Sequence, residues 1–128
     1  MNVGVTSAMI MCARLIPHII PTGHVILLSG TFADGGASWL PYYTSKRALE
    51  DFLEGLASDE DKVKVYGISP ADTATESYQR FYPESAASAQ PPEAIASICL
   101  DAINEKLGVT SGTVIEVRNG QVALGFHK

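Results

Sequence analysis

His24-Val25-Ile26-Leu27-Leu28-Ser29-Gly30 is a continuous β-prone run closed by a glycine, and its reading decides the fold. Between Val25 and Leu28 no polar residue alternates with an apolar one, so both faces of this strand are expected to be covered, as in a parallel α/β sheet. Upstream, Val5, Ala8, Met9, Cys12, Leu15 and Ile16 recur at helical spacing, which predicts an apolar-faced helix over 3–16 that Pro17, Pro21 and Gly23 end. Downstream, Leu49, Phe52, Leu53 and Leu56 define one face of a helix running from 41 or 42 to 57, with Arg47, Asp51 and Glu54 directed away.

The same alternation continues to the end of the chain. Val63 to Ile68 form a second strand stopped by Pro70, and 71–90 lack periodicity, predicting a loop with short helical pieces. Pro91-Pro92 open a third helix with Ile95, Ile98, Cys99, Ala102 and Ile103 on one face. Thr113 to Val117 make a third strand, and Asn119-Gly120 is a tight-turn signal before Val122 to Leu124. Strands that alternate with helices imply a parallel α/β sheet with right-handed crossovers, in a single domain over 1–128.

Composition narrows the function classes. With 46% apolar residues the chain can fill a core. A net charge of -5 and a pI near 5.0, without any cluster of Lys or Arg, argue against a nucleic-acid partner or an anionic membrane. No apolar stretch has the form of a signal peptide or a membrane span. Cys12 and Cys99 are far apart among apolar neighbours, which suits buried thiols in a reducing cytoplasm. His18, His24 and His127 have no paired spacing with each other or with a cysteine, so no metal site is expected.

Tyr42 and Lys46 stand four apart on one helix and project from the same face. A phenol near pKa ~10 is a poor acid–base catalyst at neutral pH, and an adjacent ammonium favours its ionised form. The competing reading is a core tyrosine beside a lysine whose ammonium reaches back to water. Ser29 ends the buried strand thirteen positions before Tyr42. Open α/β sheets place their ligands at that strand end, although a serine there also commonly serves its own turn.

Taken jointly, Ile26-Leu27-Leu28-Ser29, Tyr42-Tyr43-Thr44-Ser45-Lys46 and Ile68-Ser69-Pro70-Ala71-Asp72-Thr73-Ala74-Thr75, at this spacing, resemble the short-chain dehydrogenases/reductases. The resemblance implies a partial Rossmann-like, doubly wound parallel sheet in three αβα layers, with the N-terminal half absent. It implies an NAD(P)-dependent oxidoreductase moving a hydride between nicotinamide and a small-molecule alcohol or carbonyl. By the same resemblance the catalytic set is Asn2, Ser29, Tyr42 and Lys46. Tyr42 is the proton donor or acceptor, Lys46 lowers its pKa and binds the nicotinamide ribose, and Ser29 polarises the substrate oxygen. Asn2 supports a water that links Lys46 to solvent; its competing reading is a helix cap at the chain start.

Tyr42, Lys46, Pro70, Ala71, Thr73 and Thr75 are the implied cofactor contacts, with Ala71 in place of the family's usual glycine, where its methyl could crowd the ring or forbid a positive φ. Aromatics of the implied substrate loop, Tyr78, Phe81 and Tyr82, are placed to cover an apolar substrate or simply to pack.

What the family places before the asparagine, a first strand and a glycine-rich turn for the pyrophosphate, is missing from this sequence. Gly35-Gly36 lies in a loop without the required strand-to-helix context. Weak or absent binding of NAD or NADP and an exposed hydrophobic edge on the 24–29 strand are therefore expected of this chain, read as a truncated form. A different class of function is a catalytically silent association module, because the helices over 3–16 and 42–57 are those that pair subunits in the family, which also implies a homo-oligomer. A Ser29 acyl hydrolase fits poorly, since no G-x-S-x-G elbow is present.

Overall fold

The computed structural model describes residues 2–32 and 36–124; His127 and the side chain of Asn2 lie outside the described part. A four-stranded sheet has the order β1 (His24–Leu28), β2 (Lys64–Pro70), β3 (Val114–Arg118), β4 (Gln121–Leu124). Strands β1, β2 and β3 are parallel, with Leu27 opposite Gly67 and Gly67 opposite Val114. Strand β4 runs antiparallel to β3, as the tight-turn signal at Asn119-Gly120 leads one to expect. The turn between them explains why: Asn119 and Gly120 both take positive φ, 51° and 70°, the pair of conformations that closes a two-residue hairpin.

Helix α1 (Ser7–Leu15) follows a π-helical turn over Asn2–Thr6 and ends in a 3-10 turn at Ile16–His18. Helix α2 (Leu40–Asp59) crosses from β1 to β2. The aperiodic stretch after β2 holds the short helices α3 (Glu76–Phe81) and α4 (Pro83–Ala86), and α5 (Pro92–Ile103) crosses to β3. Among the described residues no helix is long and apolar enough to cross a membrane.

Period-two alternation of the strands divides the core into two layers. Tyr66, Ile68, Ile115 and Val117 pack with Ile95, Ile98 and Ala102 of α5. Val65 packs with Val63 and Leu53 on the other face, where Val25, Leu27 and Val114 join them under α2. Gly67 belongs to this second face because nothing larger fits: a Cβ there would lie 3.1 Å from Leu53 Cδ1 and 3.2 Å from Val114 Cγ2. Valine is stiff at χ1 and cannot swing aside. Gly67→Ala is expected to cost about 1–3 kcal/mol by overpacking, visible as a lower urea midpoint with unchanged slope; an unshifted midpoint would mean that Leu53 gives way freely.

The expected apolar face of α1 is only partly covered. Val5 and Cys12 are buried, whereas Met9 and Leu15 of the same face are about half exposed. The reason is topological. Because β1 is the edge of the sheet, α1 overhangs a rim with no strand beneath it, and an apolar groove of about 840 Å³ opens between α1, β1 and α2. Burial raises the thiol pKa of both Cys12 and Cys99, and neither is in a disulfide.

Candidate active site

Pairing with β2 continues past the end of β1. Ser29 N donates to Ile68 O at 2.8 Å, and Thr31 N donates to Pro70 O at 3.1 Å. The Thr31 hydroxyl reaches Ser69 O at 2.8 Å. This zipper brings Ser29 and the segment after β2 to the same C-terminal end of the sheet, where open α/β folds form their crevices. The N-terminal turn of α2 closes the third side. The result is a cleft of about 650 Å³ lined by Ser29, Tyr42, Pro70, Ala71, Thr73 and Thr75 together with several aromatic rings.

Most of the residues singled out from the sequence therefore converge, but with differences in their bonding. Tyr42 is 50% exposed, and burial of the remainder raises its phenol above the ordinary value. The expected depression by Lys46 is not found in this state, because the ammonium lies over the Tyr42 ring, 5.3 Å from its centroid. Lys46 Nζ donates instead to Leu28 O at 3.0 Å. Since Ser29 turns its N–H toward β2, its neighbour Leu28 turns its carbonyl to the open edge of the sheet, within reach of the ammonium. Burial lowers the Lys46 pKa, and the Glu50 carboxylate opposes that effect.

Ser29 is 5% exposed and donates its hydroxyl to the Glu50 carboxylate. Glu50, equally buried, is the functional neighbour that sequence reading missed. It is paired with Arg47, with Nη1 2.8 Å from Oε2 and Nη2 2.9 Å from Oε1. Arg47 also donates to Gly30 O at 2.6 Å and lies 5.5 Å from the centroid of the Tyr43 ring. The expectation that Arg47 points to solvent is thus corrected: the carbonyl of Gly30 and the carboxylate of Glu50 draw it inward. An i,i+3 charge pair on a helix gives no sign of burial when its other partners lie some twenty residues earlier.

The loop after β2 is held rigidly. Ala71 N donates to Val117 O at 2.9 Å, and Ala71 O accepts from the Gln90 amide at 3.1 Å and the Thr73 hydroxyl at 2.8 Å. Gln90 is a second residue the sequence did not reveal. It is buried and also bonds Val117 O and Gly120 N, so every polar atom of its amide head has a partner. Ala71 does not adopt a positive φ, which removes one objection to alanine at this position. Thr75 caps α3 by accepting from Tyr78 N at 3.2 Å.

A nicotinamide carboxamide needs one donor and one acceptor nearby. No described residue accepts the backbone N–H of Thr73, and the Thr75 hydroxyl borders the same cleft, so the residues present fit the ring end of such a cofactor. Among the described residues no three His, Cys, Asp or Glu side chains are grouped as a metal ion requires.

Comparison with known proteins agrees with this geometry. A family profile described as short chain dehydrogenase matches residues 1–86. No curated protein matches the chain in sequence. Among solved structures, a short chain dehydrogenase from Salmonella enterica serovar Typhi superposes with a TM-score of 0.76 at 23% identity, over 88% of this chain and 49% of that one. A short-chain dehydrogenase/reductase, glucose/ribitol dehydrogenase, from Brucella melitensis gives 0.71 at 18% identity, over 91% and 51%. An angucycline C-6 ketoreductase with bound NADP gives 0.74 at 17% identity, over 91% and 50%. The chain spans about half the length of these structures.

Proposed function

We propose, from the premise that this chain belongs to the short-chain dehydrogenase family, that it is the catalytic half of an NAD(P)-dependent oxidoreductase acting on a small-molecule alcohol or carbonyl. The observation that carries this reading is that Ser29, Tyr42 and the segment Pro70–Thr75 border one cleft. The nicotinamide supplies or accepts the hydride. The rest of the chemistry falls to this chain. Tyr42 delivers a proton to the developing alkoxide in reduction and removes one in oxidation. Ser29, on release from Glu50, donates to the same oxygen and stabilises its charge.

Lys46, on release from Leu28, holds the ribose and favours the phenolate. Pro70, Ala71, Thr73 and Thr75 seat the nicotinamide. Asn2 at the head of the first helix keeps the relay role that the family resemblance gives it. No glycine-rich pyrophosphate turn occurs among these residues, so that part of the dinucleotide, NAD or NADP, would be held by residues outside the chain.

The 128-residue chain alone is expected to bind either dinucleotide more weakly than micromolar; saturable micromolar binding in a fluorescence titration would show that the cleft needs no further cradle. Joined to a strand and glycine-rich half, the chain should oxidise reduced cofactor in the presence of carbonyl substrates. If a folded, dinucleotide-binding assembly of this kind turns over none, the second reading takes over. That reading is a silent association module. It is favoured by the open rim of β1 and the exposed Met9, Ile10, Met11 and Leu15 of α1, a patch of the kind that marks a protein interface. Pairing of copies through the helices over 3–16 and 42–57 is compatible with both readings.

A further inference from the structure

We infer that the cleft is shaped for an uncharged planar aromatic carbonyl compound, or the corresponding alcohol; this rests on the oxidoreductase reading of the same cleft and adds its substrate class. The disposition of five rings carries this inference. Trp39 precedes α2 and Tyr82 follows α3, and the two meet across the cleft mouth edge to face, 6.0 Å between centroids at 64°. Tyr78 lies against Tyr82 at 5.3 Å and 36°, and burial together with the nearby Asp72 carboxylate raises its phenol. On the other side Phe32 sets its edge to Tyr42 at 5.7 Å and 69°. All five rings line the cleft.

These rings are not spent on one another. Trp39, Tyr42 and Tyr82 remain 50%, 50% and 43% exposed, leaving flat apolar surface on two sides of a space large enough for a fused-ring ligand. A ring entering there gains offset or edge-to-face contacts that an aliphatic molecule of equal size cannot make. Charge selects further. Among the described residues no Lys or Arg lines the cleft, whereas Asp72 does, and the Lys46 ammonium at the Tyr42 ring is held by Leu28 O, so a carboxylate or phosphate substrate meets a like charge at the cleft wall. Because Tyr42 is both a wall and the proposed proton donor, a carbonyl carried on the stacked ring arrives beside the acid.

Trp39 is the sole tryptophan, so the 128-residue chain has one indole N–H resonance with which to follow binding. Titration with tetralone, an uncharged bicyclic aromatic ketone, should move it saturably. Cyclohexanone should bind at least about threefold more weakly, and naphthoate should leave the resonance unmoved. Tyr82→Ala should weaken tetralone about three- to tenfold, whereas Tyr82→Phe should retain it. Equal binding of cyclohexanone, binding of naphthoate, or no response to tetralone from a chain with native circular dichroism overturns the inference. Tyr42→Phe keeps the ring and should keep tetralone. Tetralone binding without turnover in the joined, cofactor-binding enzyme would therefore overturn the oxidoreductase reading while leaving the aromatic site standing.

Discussion

Replacing Tyr42 with phenylalanine should lower the turnover of the joined enzyme about 10²–10⁴-fold, the range that a single positioned proton donor contributes. The substitution isolates one oxygen. The ring keeps its edge contact with Phe32 and its place beneath the Lys46 ammonium. Half of the side chain is already in contact with water, so no buried partner is orphaned and the melting temperature should barely change. The pH profile carries the sign. Burial raises the phenol in this chain and a released Lys46 would lower it in the joined enzyme; in either case reduction needs the protonated phenol and should fall as it ionises with rising pH. Oxidation needs the phenolate and should rise over the same interval. Turnover of the phenylalanine variant within about threefold of the parent, measured as cofactor oxidation across that pH range, would remove Tyr42 from the chemistry.

The second large effect is on stability. Glu50→Ala is expected to destabilise the chain by about 3–5 kcal/mol, because it leaves Arg47 enclosed without its counter-charge and leaves the Ser29 hydroxyl only the Lys46 carbonyl at 3.4 Å. The side chains of Glu50 and Arg47 are only 7% and 22% exposed, so solvent screens the pair little. Arg47 Nε is already buried without a partner, and losing the carboxylate compounds that deficit. Set against the 5–15 kcal/mol typical of a domain, the loss places the variant near unfolding. Replacing both charges together, Glu50→Leu with Arg47→Met, should recover more than half of it. Urea unfolding of the three proteins decides: a cost below about 1 kcal/mol for Glu50→Ala would mean that water reaches Arg47 and satisfies it.

The elements governed by local pattern were legible in the sequence. The apolar run over 24–28, the period of Ile95, Ile98 and Ala102, and the turn residues Asn119-Gly120 each specify their structure within a few positions, and each is found where expected. That Ser29, Tyr42 and the Pro70–Thr75 segment share a cleft followed from the family resemblance and from no local pattern, while Lys46 and the Ser29 hydroxyl bond to other partners. What escaped is tertiary. No local pattern marks Glu50 until the fold brings the Ser29 hydroxyl to it. Among the aromatics, Phe81 lies largely in solvent, while Trp39, forty residues upstream, supplies the ring that meets Tyr82. The coverage of α1 depended on a neighbour for β1, which no periodicity can provide.

One contact links the open rim of the sheet to the candidate site. The oxygen of Leu28 is an acceptor that β1 cannot satisfy within its own pairing, and the Lys46 ammonium now stoppers it. Any polypeptide that zips onto this rim brings an amide N–H to that oxygen and displaces the stopper. Under the proposed function, the cation would then be free to meet the Tyr42 phenol and the cofactor ribose. Strand addition at this rim and activation of the proposed acid would then be a single event, so that the proposed chemistry would wait on assembly.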